Sequence, residues 1–132
     1  MERRASCACG QLQLVCAGDP VRVSMCHCLA CQQRTGSVFG VQARFPLEAI
    51  TSRQGEATAF TRRGDSGNAT THFFCPRCGT TVYWEMSAQP GVVAVAVGAF
   101  ADPGFPAPRL SVYEERAHAW ALPSGFDIEH MD

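Results

Sequence analysis

The sequence predicts a mainly β fold. Three observations carry that expectation: short polar–apolar alternations recur along the chain, turn residues separate them, and helical periodicity is weak throughout. The first alternation is "QLQLV" (11–15), which reads as a half-buried strand. "VRVSMC" (21–26) alternates in the same way and runs directly into a group of cysteines. A short helical turn over 29–34 follows, then a strand in "SVFGVQARF" (37–45). "PLEAI" (46–50) reads as a single helical turn, opened by Pro46 where a missing N–H costs nothing.

"EATAFTRR" and "NATTHFFC" flank "GDSG", the pattern of a hairpin. "TTVYWEM" (80–86) and "VVAVAV" (92–97) come next as strands, with "AQPG" as the turn between them. The Pro- and Gly-rich loop "GAFADPGFPAP" (98–108) separates this region from "RLSVYEERAHAW", which offers one more strand and a tail without clear pattern. Phe73, Phe74, Trp84 and Trp120 are expected in the core.

At 132 residues the chain is expected to form one domain, 1–132, large enough to bury its own core. Net charge is −1 and the eleven basic residues are scattered, so neither nucleic acid nor an anionic membrane is an expected partner. "MERRASCACG" lacks an apolar stretch of the secretory kind, and the longest apolar run, "GVVAVAVGAF", is too short to span a bilayer. On those features the cytoplasm is the expected location. The "RGD" at 63–65 reads as a turn, because Gly-Asp is turn chemistry.

The eight cysteines carry the chemistry. Seven of them fall in "CAC", "CHCLAC" and "CPRC", which is metal-ligand spacing and not a disulfide framework. Residues two apart on a strand share a face, so Cys7 and Cys9 reach one ion while Ala8 turns away. In "CPRCG" a tight turn converges Cys75 and Cys78, and Gly79 tolerates the backbone this needs. Together these four sulfurs make a closed, structural site. In "CHCLAC", Cys26 and Cys28 share a face and Cys31 comes round on the following turn. His27 then points away, as a packing or hydrogen-bonding residue.

Three protein ligands with one open position is the arrangement of catalytic zinc. Cys16 is the alternative fourth ligand, or else a buried small hydrophobe. A soft thiolate set also suits iron. Arg34, Thr35, Gly36 and Ser37 form a polar turn suited to an anionic substrate, and the facing of His72 stays open. His118 and His130 carry no signal.

"CACG", "CHCLACQQRTGS" and "FFCPRCGT", in that order, resemble the glutathione-dependent formaldehyde-activating enzyme family, which shares its domain with the centromere protein V family. The match runs from Ser6 to about Trp84, and Pro108 to Trp120 is similar to the family's end. The resemblance implies a β-tent fold of stacked antiparallel sheets. It also implies a structural zinc on Cys7, Cys9, Cys75 and Cys78, and a more labile, catalytic zinc on Cys26, Cys28 and Cys31. The activity implied is that of a carbon–sulfur lyase joining formaldehyde and glutathione, or splitting their adduct S-hydroxymethylglutathione. Two positions depart from the family: Gln32 and Gln33 replace a common basic pair, and Ser111 stands where "P-x-x-H" is common. Both departures are expected to alter an anionic pocket. The competing classes are a non-catalytic zinc-stabilised binding module and a redox-sensitive thiol cluster at Cys26, Cys28 and Cys31.

Overall fold

Each alternating run becomes a strand in a computed structural model, which describes residues 1–64 and 66–132. The strands are β1 (Glu2–Ser6), β2 (Gln13–Ala17), β3 (Arg22–Cys26), β4 (Gly40–Pro46), β5 (Ile50–Gln54) and β6 (Thr58–Arg63). They continue with β7 (Ala69–Phe74), β8 (Thr81–Met86), β9 (Gln89–Ala96), β10 (Leu110–Val112) and β11 (Glu129–His130). One short helix, α1 (Leu29–Thr35), interrupts the series.

Two sheets stack. The smaller has the order β1-β2-β5, and the larger β11-β10-β3-β4-β9-β8-β7-β6. This is the mainly β, stacked-sheet class expected. The antiparallel pattern breaks at one end, where β10 pairs parallel with both β3 and β11. Between the sheets lie Leu14 and Ala5 of the smaller one and Phe45, Val82, Val93 and Val95 of the larger, all fully buried. The run "VVAVAV" reads as continuous because β9 is central: Val93, Ala94 and Val95 are buried on both of its faces.

Some expectations change. The turn before β9 is Ser87–Ala88, and Gln89, Pro90 and Gly91 already belong to the strand. Met86 pairs with Gln89 across a bulge, which gives Pro90 a place without a ladder donor. Trp120 is not core: it is 77% exposed, on a 3-10 turn of the tail. Trp84 is buried as expected. The β6–β7 hairpin forms around "GDSG", with Arg63 opposite Ala69, but Asp65 of the "RGD" lies outside the described residues. No helix among the described residues is long and apolar enough to cross a membrane.

One glycine is fixed by what surrounds it. Gly55 follows β5 at φ +93°, and the carbonyl oxygen of Gln11 occupies the space a Cβ would need. The Gln11 side chain bonds the same segment twice, donating to Glu56 O (2.7 Å) and accepting from Glu56 N (2.8 Å). Gly55→Ala therefore combines an unfavourable φ with a backbone clash. It should cost about 3 kcal/mol, read as a lower urea midpoint at unchanged slope.

Candidate functional site

The first sulfur cluster is built from two loops. β1 ends at Ser6, so Cys7 and Cys9 sit in a turn and not on a strand, which corrects the expected alternation. The Gly10 amide donates to Cys7 O (3.0 Å), with Gly10 at φ 86°; the Gly79 amide donates to Cys75 O (2.8 Å), with Gly79 at φ 81°. Both pairs are thus knuckles closed by a left-handed glycine. The ligand atoms of Cys7, Cys9, Cys75 and Cys78 all lie within 4.8 Å of one another.

Polar donors point at these sulfurs. Cys75 Sγ accepts from Gln11 Nε2 (3.0 Å) and Arg77 N (3.3 Å), and Cys7 Sγ accepts from Leu12 N (3.2 Å). Cys78 is pushed down to about 5, first by the Thr80 hydroxyl and then by the Thr80 and Cys9 amides. Cys75 and Cys78 are shifted toward thiolate while Cys9 is pushed the other way, to about 11, a conflict that a cation between the four sulfurs would relieve. The residues fit a metal ion.

The second cluster sits where β3 gives way to α1. Cys26 ends β3, Cys28 is the extended N-cap of α1 (φ −62°, ψ 153°), and Cys31 lies in the helix's first turn. Cys28 Sγ accepts from Cys31 N at 3.3 Å, so a sulfur here takes the place of the usual capping oxygen. The three ligand atoms lie within 4.8 Å of one another. Cys28 is held well below the usual thiol range by its contacts with Cys26 and Cys31, while those with Cys28 and Cys31, and burial, push Cys26 up. One sulfur ionises readily and its neighbour resists. A cation relieves that conflict, so this set also fits a metal ion.

Two cysteine-region residues fall outside the clusters. His27 is fully buried, with Nε2 2.9 Å from Ser111 Oγ. Cys16 is fully buried in the core, and burial raises its thiol to about 11.

The second cluster opens onto a cleft of about 600 Å³. Its walls gather Arg34 from α1, Arg44 from β4, Arg62 from β6 and Arg116 from the tail, against one carboxylate among the described residues, Glu115. None of those arginines is in an ion pair among the described residues; the arginines that are paired, Arg3 and Arg53, lie elsewhere. The Arg34 guanidinium lies 4.2 Å from the centroid of the Trp84 ring, and His72 packs on the same ring at 5.4 Å.

Residues 2–116 match the family model of the glutathione-dependent formaldehyde-activating enzyme. The chain belongs to that family. A Rhodobacter sphaeroides protein known from its crystal structure shares the fold, with a TM-score of 0.59 over 78% of this chain and 90% of that one, at 19% identity. No curated protein matches the chain.

Against the common pattern of glutathione-dependent formaldehyde-activating enzymes, the two departures act differently from the expectation. Neither Gln32 nor Ser111 lines the cleft. Gln32 Nε2 donates to His27 O (2.9 Å) and Arg116 O (3.1 Å), tying the cysteine loop to the tail. Ser111 is fully buried against His27. Both brace the second cluster from behind, because the parallel β3–β10 pairing sets Ser111 beside Met25.

His72 faces the cleft, which settles a question the strand pattern left open. Burial lowers its pKa to about 4, with Arg34 and Arg62 adding to the shift. The folded state thus binds fewer protons here than the unfolded chain between about pH 4 and the ordinary histidine value near 6.5, and stability falls as pH drops through that window. After discounting for partial exposure the contribution is about 1 kcal/mol. His72→Gln should therefore flatten the loss of Tm between pH 7 and 4.5 relative to wild type.

Proposed function

We propose that this chain is a carbon–sulfur lyase that makes and breaks the bond between a thiol sulfur and an aldehyde carbon, as in S-hydroxymethylglutathione. Cys26, Cys28 and Cys31 hold a labile catalytic zinc ion, and Cys7, Cys9, Cys75 and Cys78 hold a structural one. The observation that carries the reading is the contrast between the clusters. Four converging sulfurs satisfy zinc completely, whereas three sulfurs beside a basic cleft leave a coordination position for a ligand.

In the synthetic direction the thiol sulfur gives an electron pair to the aldehyde carbon, and the carbonyl pair moves onto oxygen. That oxygen takes up the proton the thiol gave up. Zinc at the three cysteines supplies the positive charge that favours thiolate over thiol near neutral pH. The protein's own groups do the rest. Arg34 and the other cleft arginines hold the anionic ends of the thiol compound. The buried Trp84 ring walls the cleft on one side. His72, kept neutral by its surroundings, lines the cleft on the Trp84 ring without adding charge to it. The cytoplasm suits this chemistry, because thiols stay reduced there.

The test is magnetisation exchange between formaldehyde hydrate and S-hydroxymethylglutathione, followed by NMR with zinc-loaded protein. Exchange that rises linearly with protein concentration supports the lyase. A rate no faster than that of the protein-free mixture rejects it.

A further inference from the structure

The cleft beside Cys26, Cys28 and Cys31 has a charge balance that says more about its ligand than the presence of sulfur does. Four guanidiniums face it, and among the described residues Glu115 is the one carboxylate in its lining. All eleven basic residues of the chain are arginines, so these four are permanent cations with planar, forked donors. His72 adds no charge.

Arg34 is the best organised of them. It stands three residues after Cys31 on α1, so the two side chains lie on one face of the helix. Its guanidinium is stacked on Trp84 at 4.2 Å, and it passes Gly40 so closely that a Cβ there would lie 2.6 Å from Nη2. The glycine makes room for the stack, and the stack fixes the fork beside the cysteines. A cation fixed in this way is pre-organised for an anion, because little side-chain freedom remains to be lost on binding.

An ammonium entering the same cleft meets the opposite situation. Away from the cysteine sulfurs it must sit among four guanidiniums with, among the described residues, a single carboxylate to offset them. We infer that the cleft selects thiol compounds carrying two or more anionic groups with no ammonium to offset them, and that Arg34, positioned by Gly40 and Trp84, is the residue that reads this charge. The inference rests on the lyase reading for the identity of the sulfur ligand, but the charge preference is a property of binding alone.

Two thioethers separate the points, since neither has a thiol to give to a metal or to react with an aldehyde. S-methylglutathione carries two carboxylates and an ammonium; N-acetyl-S-methylglutathione carries the carboxylates only. Calorimetric titration of the full chain with each, at low and high sodium chloride, should give about tenfold tighter binding of the N-acetyl compound at low salt. The gap should shrink at high salt. Arg34→Gln should close most of it. Gly40→Ala, which keeps every charge but displaces the guanidinium, should narrow it as well. Equal or tighter binding of S-methylglutathione, binding of neither compound, or a gap unchanged in Arg34→Gln overturns the proposal. A charge preference without lyase exchange would reject the proposed function and leave this inference standing; exchange without the preference would do the reverse.

Discussion

Cys28→Ala is expected to lower adduct exchange by about a hundredfold or more and to remove about one zinc ion per chain. Cys28 is the centre of the second cluster: its sulfur meets those of Cys26 and Cys31 and also receives the Cys31 amide. Removing it leaves two sulfurs, too few to hold zinc against solvent. The same change deletes an N-cap, worth about 1 kcal/mol, on a helix with no buried residue. The fold should therefore survive with a small fall in Tm, which separates lost chemistry from lost structure. Elemental analysis of wild type and variant, together with the exchange rate, decides the matter. Unchanged metal content and unchanged exchange would remove Cys28 from the mechanism.

The opposite profile is expected at the first cluster. Cys75→Ala should lower Tm by about 15 °C or more, whatever its effect on exchange. Cys75 is fully buried, its sulfur 3.7 Å from that of Cys9, and it receives both Gln11 and Arg77. Gln11 in turn holds the segment after β5, so one sulfur ties together the turn after β1, the loop after β7 and the edge of the smaller sheet. A strong chelator should destabilise wild type by a similar amount and the variant hardly at all. A chelator that leaves wild-type Tm unchanged would mean that no metal supports this cluster.

The sequence announces what is local. β3, β4, β8 and β9 alternate or run apolar because their faces meet packed neighbours, and they read as strands at once. β1 and β5 escape notice for a physical reason. Both are edges of the smaller sheet, and "ERRAS" and "ITSRQ" are too polar to show an apolar face. Each cysteine motif is equally local, but it is the fold that brings Cys7 and Cys9 to Cys75 and Cys78 across the chain.

The basic cleft is the reverse case. Arg34, Arg44, Arg62 and Arg116 come from four separate segments, and although Arg34 stands out on its polar turn, nothing around the other three marks them as part of a patch. Only the order of the larger sheet and the return of the tail bring them to one wall. The scattered charges that argue against a polyanion partner in the sequence are thus the same charges that make a pocket in the fold. Ser111 is hidden similarly, since its meaning depends on a parallel pairing that strand pattern does not reveal.

That parallel pairing also sets an order of assembly. All ligands of the first cluster are present once residue 78 has been made, whereas the brace behind the second arrives with Ser111, 84 positions after His27. During synthesis from the N-terminus the first knuckles can close while Cys26, Cys28 and Cys31 still lack their backing strand. Contacts of such long sequence separation form late. On the proposed reading, metal acquisition would then be sequential, with an ion at the first cluster captured on the nascent chain and one at the second held firmly only once the backing strand is in place.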